Sequence, residues 1–217
     1  MLPKADIEQI LKKGQQLTGR TAIQTNGFLL DDEHIEIFKK CDTSVGISYD
    51  GHGTLNEARM NSEEAAEIWQ KVERLIKEGI RTSLIVVVSR ANAGTQDKLL
   101  RLKQFLIEAR NIGIGGGRLN PCDHPDWSLD KERLVEVYQD LAMFVMANRL
   151  RWGPFTDIWN SLRHRGPVVC TFLDCDPHHT RAATVILGDG SVANCLKMAI
   201  QTGFVRHASA AGTRSQI

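Results

Sequence analysis

Apolar residues recur with two alternating spacings along the first 150 positions of the chain. Spacings of three and four residues predict amphipathic helices, and short β-branched runs between them predict strands. The clearest helix is capped by Asn61 or Ser62 and ends at Gly79. Its apolar stripe consists of Ala65, Ile68, Trp69, Val72, Leu75 and Ile76.

The predicted order of elements from about residue 5 to about residue 150 is αβαβαβαβα. Strands are predicted over Thr21–Gln24, over 43–49, over 83–89 and within the Gly-rich "IGIGGGRLNP". The run 83–89 is apolar without alternation, which predicts a strand buried on both faces. Strands that alternate with helices in this way are expected to be parallel and joined by helical crossovers.

The pattern changes after Trp152. A short helix is predicted first, and then a β-hairpin in "AATVILGDGSVAN", where Asp189-Gly190 can form the tight turn. We therefore expect a boundary near 150–165, with one domain over 1–150 and a second region over 151–217. The apolar residues of the short helix are Phe155, Ile158, Trp159 and Leu162.

Charge and hydropathy give no support for a nucleic-acid-binding or membrane protein. The 27 Lys+Arg and 26 Asp+Glu leave a net charge of +1, so no long-range field favours nucleic acid. The N-terminus lacks a signal-peptide core, and no run reaches the roughly 20 apolar residues of a membrane span. We expect a cytoplasmic chain with no membrane or nucleic-acid partner, whose five cysteines are thiols, metal ligands or catalytic groups.

Polar residues stand at the carboxyl ends of all four predicted strands, where parallel α/β proteins bind ligands. Loops after strands are polar in any case, so the pattern alone supports a ligand site and ordinary surface loops equally. Asp50 is a candidate base, although an aspartate directly after a strand more often caps a helix or a turn. His34, His52 and His124 are expected to be solvated. The polar sets are Gln24 to Asn26, Ser48 to Asp50, Ser89 to Asn92, and Arg118 to Asn120.

The cysteines near the predicted hairpin give a sharper pattern. Cys175 and Cys195 flank it in the spacing C-x14-G-x4-C, so both sulfurs could reach one metal or cluster. His178, His179 or Cys170 could complete a zinc site, whereas an iron–sulfur cluster would take further cysteines. Two unconnected buried thiols are the alternative.

Four motifs in this order resemble radical S-adenosylmethionine enzymes of the SPASM/twitch branch, which includes anaerobic sulfatase-maturating enzymes and peptide maturases. They are "IQTNGFLL", "VGISYDG" followed by Arg59, "VVVSRAN" and the C-x14-G-x4-C. The resemblance extends from about residue 5 to Cys195. It implies a partial (β/α)6 TIM-like barrel with strands three to six retained, followed by a small Cys-containing β-hairpin segment of the SPASM/twitch type.

The resemblance also implies site residues. Gln24 and Asn26 would face the S-adenosylmethionine cavity, Ser48 would contact the methionine part of the cofactor, and Arg59 would bind its carboxylate. Cys175 and Cys195 match the first two ligands of an auxiliary [4Fe–4S] cluster.

The chain departs from the family where the catalytic cluster is concerned. The C-x3-C-x2-C motif that binds the catalytic [4Fe–4S] cluster is absent, and the first two strands and the later cysteines have no counterpart. We therefore expect a fragment, or a misassigned reading frame, of a longer maturase. Its unpaired strand edge is expected to make the isolated chain oligomeric or poorly soluble.

The resemblance implies that the whole enzyme generates a 5′-deoxyadenosyl radical to modify a peptide or protein, with an electron donor such as flavodoxin or ferredoxin. The chain alone is expected to be inactive. Two other hypotheses stay open: a degenerate, non-catalytic peptide-binding or scaffold protein, and a small zinc-binding α/β protein.

Overall fold

Five parallel strands form one sheet, in the order in which they occur along the chain. The computed structural model describes residues 2–163, 184–187 and 190–193, and the chain divides into two compact units, 1–159 and 160–217. The strands of the sheet are β1 (Thr21–Thr25), β2 (Thr43–Ser48), β3 (Thr82–Val88), β4 (Gly117–Pro121) and β5 (Trp152–Gly153).

Helices connect the strands, as the alternating spacings predict. Asn61 caps the predicted long helix: its side chain accepts from the Glu64 N–H, and the Glu64 carboxylate accepts from the Asn61 N–H. The helices are α1 (Lys4–Thr18), α2 (Asp32–Lys40), α3 (Ser62–Lys77), α4 (Arg90–Ala93), α5 (Gln96–Asn111), α6 (Lys131–Ala147) and α7 (Phe155–Leu162), and a 3₁₀ turn spans Gly53–Asn56.

The core lies on the helix-covered face of the sheet. Alternate residues of β2 and β3 point to this face and are buried, including Val45, Ile47, Leu84 and Val86, and Leu119 of β4 is buried beside them. They pack against the apolar stripes of the helices, such as Ile68, Val72 and Leu75 of α3. The opposite face of the sheet is only partly covered.

The prediction that the third strand is buried on both faces is wrong. β3 alternates between buried and half-buried residues, with Ile85 and Val87 on the partly covered face. The sequence hides this alternation because both faces carry apolar residues. The sheet also has a strand that the sequence did not predict: β5 pairs with β4 through Trp152 and Gly153, beyond the expected limit of the first domain at 150.

Two short strands are described in the second unit. β6 (Val185–Ile186) and β7 (Val192–Ala193) pair antiparallel within the segment for which a hairpin is predicted. Cys170, Cys175, His178, His179, Asp189 and Cys195 lie outside the described residues. The assignment of this region to an auxiliary-cluster domain stays a prediction.

Candidate functional site

Polar side chains line the partly covered face of the sheet, which we call the open face. The strand register places Gln24 beside Gly46, Ser48 beside Ile85, and Ile85 in turn beside Arg118. Val87 and Asn120 form the next row toward the carboxyl ends. The open face is thus defined by Gln24, Gly46, Ser48, Ile85, Val87, Arg118 and Asn120.

Gln24 and Ser48 bring hydrogen-bonding groups to the open face. Gln24 is exposed and Ser48 is half-buried. Within the described part of the chain, neither side chain forms a hydrogen bond to another residue. Gly46 lies next to Gln24 and two residues before Ser48, so no side chain covers the backbone of β2 beside Gln24. The amide and the hydroxyl are therefore available to a ligand that lies across β1 and β2.

Asn26 holds the turn that follows β1. Its Oδ1 accepts from the Phe28 N–H at 3.2 Å, and Thr25 Oγ1 accepts from the Gly27 N–H at 3.2 Å. Gly27 has a φ of 82°, in the left-handed region that favours glycine. Lys71 Nζ donates to the carbonyl groups of Gly27 and Phe28, which attaches the turn to α3.

Arg59 is paired within the chain. Its Nε and Nη2 donate to Asp50 Oδ2 and Oδ1 at 3.1 and 2.9 Å, in the two-point geometry that guanidinium groups adopt with carboxylates. The family resemblance implied this fork for the carboxylate of S-adenosylmethionine. In the structure, the acceptor is Asp50, which the sequence suggested as a base or a cap.

Asp50 also joins the carboxyl ends of β2 and β3. Its Oδ1 accepts from the Val87 N–H at 2.7 Å, and its own N–H donates to Asn56 Oδ1 at 2.9 Å. Asn92 Nδ2 donates to the Val87 carbonyl at 2.9 Å. Burial raises the pKa of the Asp50 carboxyl, and the hydrogen bonds from Arg59 and Val87 act against this rise.

Asn56 and Asn92 were not singled out individually as site residues, although both are fully buried. Asn56 Nδ2 has no hydrogen-bond partner among the described residues. Asn92 Oδ1 accepts from the Ser89 N–H in the cap of α4. The signal available in the sequence was the position of each asparagine a few residues after a strand, a pattern shared with many ordinary turns.

The three histidines that were expected to be solvated lie in different surroundings. His34 is 4% exposed, so this prediction is wrong for it. His34 follows Leu30 and precedes Phe38 by four residues, which places it in the buried stripe of α2. His52 packs edge-on against Trp69 and Phe105 with ring centroids 4.5 and 5.0 Å away, whereas His124 is exposed.

The described cysteines do not form a cluster site. Cys41 is buried on α2's side of the sheet, and burial raises the pKa of its thiol, which disfavours the thiolate that binds metals. Cys122 follows β4. No group of three potential metal ligands occurs within residues 2–163, 184–187 and 190–193. The sequence also lacks C-x3-C-x2-C, so these residues do not fit the catalytic cluster.

Comparison with known proteins first identifies the class of fold. The chain superimposes on anSMEcpe with bound AdoMet and Kp18Cys peptide with a TM-score of 0.67 and 17% identity, over 88% of this chain and 56% of that chain. For Streptococcus suis SuiB bound to S-adenosylmethionine the TM-score is 0.61 at 13% identity, over 94% and 48%. The parallel sheet with its helices thus has the fold found in these proteins.

A sequence relative then supports the resemblance that the motifs indicate. The chain is 35% identical over 163 residues to the serine-type anaerobic sulfatase-maturating enzyme of Bacteroides thetaiotaomicron. No protein-family model matches the chain. The resemblance that the motifs indicate is confirmed: the chain is related to radical S-adenosylmethionine maturases of the SPASM type. The match covers 72% of this chain and 36% of the relative, and the chain spans about half of the two structures.

No helix among the described residues is long and apolar enough to cross a membrane.

Proposed function

We propose that this chain supplies part of the S-adenosylmethionine-binding surface of a radical S-adenosylmethionine maturase. The observation that carries the proposal is the placement of Gln24 and Ser48. Both come from motifs that resemble the family, and both present unbonded polar groups on the open face of the same sheet. This is the chemistry that a polar, amino-acid-like ligand requires at the carboxyl ends of parallel strands.

The residues present fit the methionine part of the cofactor. The Ser48 hydroxyl can accept from its ammonium group or donate to its carboxylate, and the Gln24 amide can do either. Arg59 would bind the carboxylate only by sharing its guanidinium with Asp50. Asn26 would act indirectly, by holding the turn after β1. When bound in such enzymes, S-adenosylmethionine supplies the radical chemistry, while the protein binds and orients it.

The substrate proposed for the whole enzyme is a peptide or protein. The support is that anSMEcpe carries a bound peptide in its solved structure and that the sequence relative is a maturating enzyme for sulfatases.

Cys175 and Cys195 are proposed as auxiliary [4Fe–4S] ligands, and a flavodoxin or ferredoxin is proposed as the electron donor. After anaerobic reconstitution, a Cys175→Ser/Cys195→Ser variant is expected to retain less iron than the parent chain.

Cofactor binding tests the proposal directly. Titration of the chain with S-adenosylmethionine in a calorimeter is expected to show binding, and Ser48→Ala is expected to weaken it about fivefold, the value of one net hydrogen bond. Ser44→Ala is the matched control. Ser44 lies on the same face of β2, four residues nearer its amino end.

The control variant is expected to bind like the parent chain. Equal weakening by both variants, or no binding by the parent chain, would contradict the proposed role of Ser48. The chain alone is expected to yield no 5′-deoxyadenosine under reducing, anaerobic conditions, because its sequence has no C-x3-C-x2-C. Formation of that product would refute this part of the proposal.

A further inference from the structure

Tyr49, His52 and Glu108 form a row of hydrogen-bonding groups at the carboxyl end of β2, on the helix-covered side of the sheet. The Tyr49 hydroxyl oxygen lies 2.9 Å from His52 Nδ1, and His52 Nε2 lies 3.2 Å from Glu108 Oε1. Tyr49 is fully buried, His52 is half-buried and Glu108 is exposed. These three residues, which we call the Tyr49 triad, therefore lead from the interior of the protein to its surface.

The direction of the two hydrogen bonds follows from the chemistry of the groups. An ionised carboxylate only accepts, so the neutral His52 ring carries its proton on Nε2 and donates it to Glu108. Nδ1 is then an acceptor, and the Tyr49 hydroxyl donates to it. Among the described residues this hydroxyl has no other hydrogen-bond partner. The bond to His52 is thus the path by which the Tyr49 proton can leave the phenol.

This geometry favours loss of the Tyr49 proton together with an electron. Burial, and to a smaller extent the charge of Glu108, raises the pKa of the Tyr49 phenol, so the phenol stays protonated before oxidation. Removal of one electron turns a phenol into a strong acid, and imidazole accepts protons near neutral pH. Transfer of the proton to His52 leaves a neutral radical in the buried site, which avoids the cost of an unpaired buried charge.

Trp69 of α3 connects Tyr49 with the outside of the core. Its ring centroid lies 5.3 Å from that of Tyr49 and 4.5 Å from that of His52. Trp69 retains 8% exposure, whereas Tyr49 has none. Indole and phenol rings both lose single electrons to strong oxidants, and rings in contact exchange electrons directly. An oxidant in solution therefore reaches Tyr49 most easily through Trp69.

We propose that the Tyr49 triad is a redox site, separate from the open face. A one-electron oxidant in solution takes an electron from Trp69, and Tyr49 then reduces the Trp69 radical cation while its phenolic proton moves to His52 Nδ1. The products are a Tyr49 phenoxyl radical, neutral Trp69 and protonated His52. The phenol is restored when a small thiolate supplies an electron and the proton returns from His52, and two of the resulting thiyl radicals combine as a disulfide.

The two tyrosines of the chain form a matched pair for the test. Tyr138 is half-buried, and its hydroxyl donates to the Leu119 carbonyl oxygen at 2.9 Å, a group that does not take up a proton. Accessibility alone favours oxidation of Tyr138, whereas a proton acceptor favours oxidation of Tyr49. The two explanations therefore predict opposite results. The site does not depend on S-adenosylmethionine, so the tests use the chain without cofactor.

Photogenerated tris(bipyridine)ruthenium(III) serves as the oxidant, and electron paramagnetic resonance of samples frozen after a light pulse detects the tyrosyl radical. We expect the radical in the parent chain and in Tyr138→Phe, and its loss in Tyr49→Phe. Phenylalanine keeps the ring at both positions, and urea unfolding shows that each variant is folded. Absence of the radical from the parent chain, or its loss in Tyr138→Phe alone, would overturn the proposal.

A His52→Gln variant separates hydrogen bonding from proton uptake. The amide oxygen that it introduces can still accept from the Tyr49 hydroxyl, but it does not take up the proton. We expect most of the tyrosyl signal to be lost, whereas the matched variant His124→Gln at an exposed histidine keeps the parent yield. If His52→Gln keeps the parent yield, His52 is not the proton acceptor and the proposal fails.

The rate of radical formation tests the remaining steps. In the parent chain we expect slower formation in D2O than in H2O, because a proton moves in the step that oxidises Tyr49. Trp69→Phe is expected to slow formation further without changing which tyrosine is oxidised. Equal rates in the two solvents would refute proton transfer to His52, and an unchanged rate in Trp69→Phe would refute the step through Trp69.

Discussion

Removal of the Arg59 guanidinium should reveal how strongly the carboxyl ends of β2 and β3 are held together. Arg59→Met keeps most of the apolar stem but leaves Asp50, whose side chain is 3% exposed, without its ionic partner. Breaking a buried ion pair by removing one member costs about 3–5 kcal/mol. Arg59 retains 24% exposure, so we expect the free energy of unfolding to fall by about 3 kcal/mol, the lower end of that range.

The loss should depend on pH in a defined direction. In Arg59→Met, burial acts on Asp50 without the opposing guanidinium, so the pKa of this carboxyl in the folded state rises further above its unfolded value of about 4. A carboxyl group whose pKa is higher in the folded state than in the unfolded state lowers the free energy of unfolding. This loss grows as the pH rises from the unfolded pKa through the folded pKa. The variant should therefore be closer to the parent chain at pH 5 than at pH 8.

Urea unfolding followed by tryptophan fluorescence measures both effects, since Trp69 and Trp152 are buried. The double variant Asp50→Asn/Arg59→Met is the matched comparison: the amide oxygen that it introduces would still accept from the Val87 N–H, and no buried charge remains. We expect it to recover most of the loss. The reasoning is refuted if Arg59→Met costs less than about 1 kcal/mol, or if its cost is the same in the Asp50→Asn background.

Three further predictions concern other parts of the fold. Gly117→Ala should destabilise the chain by about 2 kcal/mol or more in urea unfolding, because a Cβ there would lie 2.1 Å from the Leu84 carbonyl oxygen. A Cβ at Gly115 would have no atom within 4 Å, so the control Gly115→Ala should be nearly neutral. Similar losses for the two variants would contradict this prediction. Asn61→Ala should cost about 1 kcal/mol by removing the cap of α3, with Ser62→Ala as the control, and an unchanged urea midpoint would refute it. Hydrogen bonds from Lys12 and Lys40 lower the pKa of Glu8 to about 2, so their stabilisation is present above the unfolded value of 4.5 and is lost as the pH falls toward 2. Glu8→Gln should consequently show a smaller fall in Tm between pH 5 and pH 2 than the parent chain, while the exposed Glu67→Gln should not differ from it.

The sequence predicts the elements whose residues repeat over several turns or along a full strand. α3 is an example, because its stripe and its Asn61 cap agree with each other. β5 was missed because a strand of two residues, Trp152 and Gly153, carries no periodic signal. Its presence in the sheet depends on pairing with β4, which is distant in sequence.

The candidate site could be predicted only in part. The motifs place Gln24 and Ser48 at strand ends, and the register then puts them on one face. The partner of Arg59 could not be predicted, because the spacing shows neither that Asp50 is buried nor that its carboxylate faces the guanidinium. The burial of His34 was visible in its spacing to Leu30 and Phe38, but its acidic neighbours concealed the stripe.

The side chains of Asp50 and Asn92 extend the sheet beyond the point where main-chain pairing between β2 and β3 ends. The Asp50 carboxylate takes the place of a strand carbonyl for the Val87 N–H, and the Asn92 amide takes the place of a strand N–H for the Val87 carbonyl. Amide hydrogen exchange at Val87 should therefore be slow in the parent chain, although its hydrogen bond depends on one side chain. We expect a substitution at Asp50 to loosen both the turn that contains Asn56 and the end of β3, because this one residue is hydrogen-bonded to each of them.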